Sequence, residues 1–236
     1  MVKQLTQILP NIQHRQIIKL YNASNFFDLQ AVPKEDLMGL AALVQDFETV
    51  VVENHPRLLS SRIPDFAGRL HGQLQVAMGL ETADENILNS LNKQMTLADY
   101  ENACAFLLEH KLSIRTFLLL PPPGVSANDT LKHTIASVQH AIRCGSDVTS
   151  MIPLRPGNGI MDWMSSNGLV HLPDLELAMQ TFAAALQLPR GRRQRVFLDL
   201  WNLEALANNR TDLPSAIQEL QRWNREQGPT SSFYYK

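Results

Sequence analysis

Cysteine is scarce in this 236-residue chain: there are two, Cys104 and Cys144, 40 positions apart. That spacing builds neither a disulfide framework nor a metal-ligand pattern. Two isolated thiols, behind a start (MVKQLTQILPNIQHR) without signal-peptide features, fit a reducing cytoplasm. No apolar run approaches the roughly 20 residues that a membrane helix needs. Neither sign of charge dominates, with 21 Lys+Arg against 23 Asp+Glu and a net charge of −2. Overall charge therefore cannot hold the protein to nucleic acid, and only local basic patches could. The phosphate-cradling patterns G-x-x-x-x-G-K-[ST] and G-x-G-x-x-G are missing, which argues against nucleoside triphosphates and dinucleotides.

The composition that is present, 44% hydrophobic and 19% charged, is close to that of globular proteins. The length suits one α/β domain or a compact pair with a sizeable core. Six short aliphatic or β-branched runs read as buried strands, namely IIKLYN from Ile17, TVVVE from Thr49, QVAMGLE from Gln75, RTFLLLP from Arg115, DVTSMIP from Asp147 and RVFLDLW from Arg195. Continuous apolar runs, rather than alternating ones, are what strands covered on both faces look like.

Helical patterns separate them. Pro33 to Gln45 opens with proline and two acids, Glu35 and Asp36, suited to a helix start. Thr96 to His110 places Tyr100, Ala103, Cys104, Leu107 and Leu108 three and four apart. Asn128 to Arg143 and Pro173 to Leu186 follow the same rule. Alternating strands and helices predict βα units and a mainly parallel sheet, either open or most of a barrel. Residues 1–204 form that body, and 205–236 hold a C-terminal helix and a loosely held tail from Gly228.

In parallel α/β folds the ligand lies at the carboxyl ends of the strands. Here those ends carry Asn22-Ala23-Ser24, Glu53-Asn54-His55, Glu81-Thr82, Pro121 to Gly124, Pro153 with Gly157-Asn158-Gly159, and Trp201-Asn202. Any single Asn or Ser in such a place is ordinarily a turn or cap residue. Glu53 and Glu81 are different, because a carboxylate closing a fully apolar strand is costly unless it is paired or meets a ligand.

Five segments in order, IKLYNASNFFD, VVVENHPRLL, LQVAMGLET with LNKQMTLADYENACAFLLEHKLSIRTFLLLPPPG, SMIPLRPGNG and VFLDLW, resemble the radical S-adenosylmethionine superfamily over residues 12 to 204. They look like its archaeosine-biosynthesis-type branch, which is similar to the elongator-type enzymes. The resemblance implies an α/β fold, an incomplete (β/α) barrel of about six parallel strands, binding S-adenosylmethionine against a [4Fe–4S] cluster. It implies cofactor contacts from Asn22, Ser24, Glu53, Glu81, Thr82, Gly157, Asn158 and Gly159. The methionine amine would lie at the first three-residue segment, although the usual Gly-Gly-Glu is absent there. The ribose would lie near Glu81 and Thr82, and the adenine near the glycine turn. Pro121 stands where relatives carry Lys or Arg, so one charged contact is missing.

The family's Cys-x3-Cys-x2-Cys segment, whose thiolates hold the cluster, has no counterpart here. The resemblance implies that the first strand and this triad are missing. The expectation is a C-terminal part of a radical enzyme, inactive alone and completed by a cysteine-bearing N-terminal polypeptide, with tRNA as the candidate substrate. The alternative is a non-catalytic barrel acting as a binding or scaffold protein. Cys104 and Cys144 read as packing cysteines and no metal site is expected from them. PRGRRQR, from Pro189 to Arg195, reads as a solvated loop rather than a phosphate site. His55 reads as a hydrogen-bonded structural group, and His133 and His140 are too far apart for a shared metal without other ligands. IIKLYN, as an apolar edge, predicts self-association.

Overall fold

The computed structural model describes residues 1–12, 15–21, 25–157, 159–207 and 212–229. Strands β1 (Ile17–Leu20), β2 (Thr49–Glu53), β3 (Gln73–Glu81), β4 (Ser113–Leu120), β5 (Val148–Pro153) and β6 (Arg195–Leu198) make one sheet in sequential order. The fold class is α/β, an incomplete barrel of six parallel strands. The helices are α1 (Val2–Ile8), α2 (Lys34–Val44), α3 (Arg62–Ala67), α4 (Glu85–Ser90), α5 (Leu97–Glu109), α6 (Ala127–Arg143), α7 (Ile160–Ser166), α8 (Leu175–Leu186) and α9 (Leu213–Glu226). All six expected strand runs and the four expected long helices are present. The chain forms two compact units, Met1–Gly79 with Ala98–Arg115, and Leu80–Leu97 with Thr116–Lys236.

In the first unit β1 pairs with β2 and β2 with β3, all parallel, with Ile17 beside Thr49 and Glu53 beside Ala77. Val50, Val51 and Val52 are fully buried, as their unbroken apolar run predicts. Pro33 caps α2, and Leu37, Leu40, Ala41 and Val44 form its buried stripe. A Cβ at Gly72 would collide with the carbonyl oxygens of Phe47 and Glu48, so only glycine lets the chain enter β3 there. Cys104 is buried in α5 with Tyr100, Ala103 and Leu107, the packing role its neighbours predict.

In the second unit β5 pairs parallel with β6, Val148 beside Arg195 and Met151 beside Leu198. Ser126 and Asp174 cap α6 and α8 by accepting the N–H of Asp129 and Leu177. Cys144 is the half-buried residue ending α6. The free side of β6 is sealed by α9, because Asn224 and Gln227 pair with the backbone of Leu198 and Val196. A terminal strand is thereby supplied with partners that no strand provides.

Candidate functional site

Strand alternation sets which side chains share a face. In the first unit the β1–β2–β3 register puts Lys19, Val51 and Gln75 abreast, with Glu53 and Ala77 on the same face two residues on. Tyr21 directly follows β1. Arg115 Nε donates to Gln75 Oε1 at 2.8 Å, and Gln75 Nε2 donates to Ser113 Oγ at 2.9 Å. This fixed amide relay holds a half-buried guanidinium within an otherwise apolar strand run. Burial draws the Arg115 pKa below its ordinary value, while Tyr21 opposes the change. Burial pushes the Tyr21 phenol up; Arg115 acts against that and Glu53 with it. Tyr21 therefore stays a neutral O–H donor at physiological pH.

The end of β2 is locked in place. Phe26 N donates to the Glu53 carbonyl at 2.9 Å, and Asn54 N to the Ala77 carbonyl at 3.0 Å. Asn54, itself buried, donates through Nδ2 to the carbonyls of His55 and Leu58 at 3.2 and 2.9 Å. Its Oδ1 is buried without a hydrogen bond. Phe26, Phe27 and Phe66 pack edge to face with centroids 5.1 to 5.8 Å apart, which anchors the loop after β1. The His55 ring accepts from the Arg57 N–H at 3.2 Å, a local turn bond like the structural role its position predicts.

In the second unit Glu81 closes β3 with φ of 66°. A left-handed glutamate is uncommon and costs about 1–3 kcal/mol, which the surroundings must enforce. Its side chain, 14% exposed, pairs with Lys93, so the carboxylate at this apolar strand end is compensated. Thr82 is fully buried and its hydroxyl accepts the Asp84 N–H at 3.1 Å. Asp84 then caps α4 through Oδ1, and its Oδ2 lies 3.6 Å from His133 Nδ1. Ser137 Oγ takes the Ala83 N–H at 2.9 Å. Lys93 carries no sequence pattern of its own, and only the fold shows that it meets Glu81.

After β5, Gly157 and Gly159 have φ of 102° and 75°. A Cβ at either would meet nothing within 4 Å, so backbone conformation, not close approach, requires glycine there. Both N–H groups donate to the Asp162 carboxylate at 3.0 to 3.1 Å. Arg155, also beyond β5, donates through Nη2 to the Asp199 carbonyl and Oδ2, each at 3.0 Å, and through Nη1 to the Pro153 carbonyl at 3.1 Å. The structure thus joins Glu81 and Thr82 to a Lys93 and Asp84 framework, and Gly157 and Gly159 to Asp162. Asn22, Ser24 and Asn158 lie outside the described residues. Arg190 of the arginine run is held by the carbonyls of Leu186, Leu188 and Gln227. The run also enters β6 at its amino end, whereas Trp201 lies beyond its carboxyl end.

No family model matches the chain. It is 24% identical over 149 residues to archaeosine synthase subunit beta of Thermococcus kodakarensis, covering 58% of this chain and 44% of that protein. An uncharacterised protein of Methanocaldococcus jannaschii is 21% identical over 141 residues, 58% of this chain and 39% of its own. The archaeal Elp3 of Methanocaldococcus infernus superposes with a TM-score of 0.60 at 14% identity, over 95% of this chain and 58% of that one. The chain resembles the radical S-adenosylmethionine enzymes. At these identities the structural likeness gives an architecture, and architecture alone selects no chemistry. The matched segments span less than half the length of the curated relatives. Among the described residues, no helix is long and apolar enough to cross a membrane.

Proposed function

We infer that this chain supplies the cofactor- and substrate-facing part of a radical S-adenosylmethionine-type enzyme that modifies a nucleoside in RNA, with tRNA as substrate. One observation carries the reading: Glu81, strained into the left-handed region at the carboxyl end of an apolar strand and held there by Lys93. Strain of this kind collects at ligand sites, where the rest of the fold enforces it. Similarity to a protein named archaeosine synthase subunit beta supports the nucleoside substrate.

The donor set fits S-adenosylmethionine. Glu81 is a fixed acceptor for ribose hydroxyls, and Glu53, on the first unit's strands, is an acceptor for the methionine ammonium. The Gly157–Gly159 turn supplies the adenine side, and Asn22 and Ser24 belong to the same proposal. When bound, this cofactor supplies a sulfonium open to reductive cleavage. The chain's cysteines do not fit the cluster. Two thiols, one of them buried among α5's apolar side chains, cannot furnish three thiolate ligands. The thiolates would come from a cysteine-bearing polypeptide that completes the enzyme. The same count favours a second reading, a non-catalytic barrel that binds ligand or partner.

Calorimetric titration with S-adenosylhomocysteine, followed by anaerobic iron and sulfide reconstitution, tests both readings. The enzyme reading expects one ligand bound per chain. It also expects iron uptake only when a peptide bearing Cys-x3-Cys-x2-Cys is added. Failure to bind S-adenosylhomocysteine would overturn it.

A further inference from the structure

We propose that Trp201, backed by Arg155, is a stacking platform for a nucleobase of the RNA substrate. Trp201 follows β6 at its carboxyl end, the side where α/β folds of this kind take ligands. Among the described residues it is the most exposed of the large apolar ones, at 71%. A lone exposed tryptophan would need no explanation. This one is built in.

The Arg155 guanidinium lies 5.6 Å from the centre of the indole. Arg155 itself is only 8% exposed and is fixed by the carbonyls of Pro153 and Asp199 and by the Asp199 carboxylate. The backbone N–H of Trp201 donates to Asp199 Oδ1 at 3.4 Å, and Asn202 turns the chain with φ of 50°, which fixes the main chain that carries the indole. One face of the ring is therefore backed by a rigid planar cation, and the other faces solvent. A large ring held in place loses little entropy when a second ring lies on it, and every base offers a π-face. A cation behind the indole adds attraction of the same kind. The ordinary alternative, an indole turned into the core, is what Trp223 of α9 does in this same unit, where it is fully buried.

This inference rests on the nucleoside reading above, and it names where the base is received. The test uses the full chain with a fluorescein-labelled single-stranded RNA of about eight nucleotides, within the site sizes such stacking surfaces cover. Trp201→Ala should weaken binding about 5- to 150-fold, the loss expected for one stacked base. Trp201→Phe should keep most of the affinity, and the melting temperature should not change in either variant. In a Trp163→Phe background, RNA should quench the remaining exposed indole emission. Equal RNA binding by wild type and Trp201→Ala would overturn the platform, as would no RNA binding by wild type. S-adenosylhomocysteine titration of the same variants separates the two readings. Trp201-dependent RNA binding without it leaves the platform standing and removes the cofactor reading.

Discussion

Asn224 and Leu198 form a two-way amide pair: Asn224 Nδ2 donates to the Leu198 carbonyl at 2.9 Å, and Asn224 Oδ1 accepts the Leu198 N–H at 3.0 Å. One turn on, Gln227 repeats the arrangement with Val196 at 2.9 and 2.8 Å. A helix thus imitates the hydrogen-bonding side of a neighbouring strand.

Removing that imitation leaves backbone groups of β6 without partners in a half-buried site. Asn224→Ala should cost about 1–3 kcal/mol, and Asn224→Asp nearly as much, because the carboxylate cannot donate to the Leu198 carbonyl. Urea denaturation reads the change. An unaltered midpoint in both variants would show that water replaces the amide without penalty.

Glu81 separates backbone strain from ligand contact. Glycine accepts φ of 66° freely, whereas alanine does not, so Glu81→Gly should be about 1 kcal/mol more stable than Glu81→Ala. Both should lose S-adenosylhomocysteine affinity, as should Glu81→Gln. If Glu81→Gln bound the ligand like wild type, the carboxylate would have no part in the site.

Tyr21 should shape stability in alkali. Its folded pKa is raised, so its stabilising contribution is complete below the unfolded value of about 10 and is lost as pH climbs through the folded value. Arg115 has the opposite sign, since its pKa is lowered in the fold and proton release at high pH relieves a burial cost. Comparing Tyr21→Phe with wild type cancels the arginine and isolates the phenol. The wild-type midpoint should fall more steeply than the variant's as pH rises above the unfolded value of about 10. Parallel curves would mean that Tyr21 titrates alike in both states.

Ile17, 60% exposed on the terminal strand β1, should promote association. Ile17→Lys should lower the sedimentation coefficient reached at high concentration. Wild type that stays monomeric at every concentration would dispose of the idea.

The strands were legible because a strand covered on both faces must be apolar throughout, and TVVVE shows this without ambiguity. Their ends were less so: β3 begins at Gln73 and β4 at Ser113, each two residues before its apolar run. Those polar starts are paired with each other through Gln75, Ser113 and Arg115, and such pairing is a tertiary fact. Glu53 and Glu81 could be singled out because charge after an apolar run stands out. Lys93, Asp162 and Asp199 could not, since each reads as an ordinary surface residue until the fold brings its partner. Trp201 belongs to the apolar run RVFLDLW in sequence, yet it sits in a turn past the four-residue β6 and is exposed. The missing signal was the strand's short length.

The turn after β5 has a consequence for the chemistry of whatever approaches it. Asp162 already occupies the N–H groups of Gly157 and Gly159, so the loop carries its own anion. A phosphate arriving there meets negative charge rather than a cradle of donors. An amino group on a heterocycle would meet a carboxylate able to accept it, so the proposed adenine side of the site would discriminate by the sign of the ligand's edge.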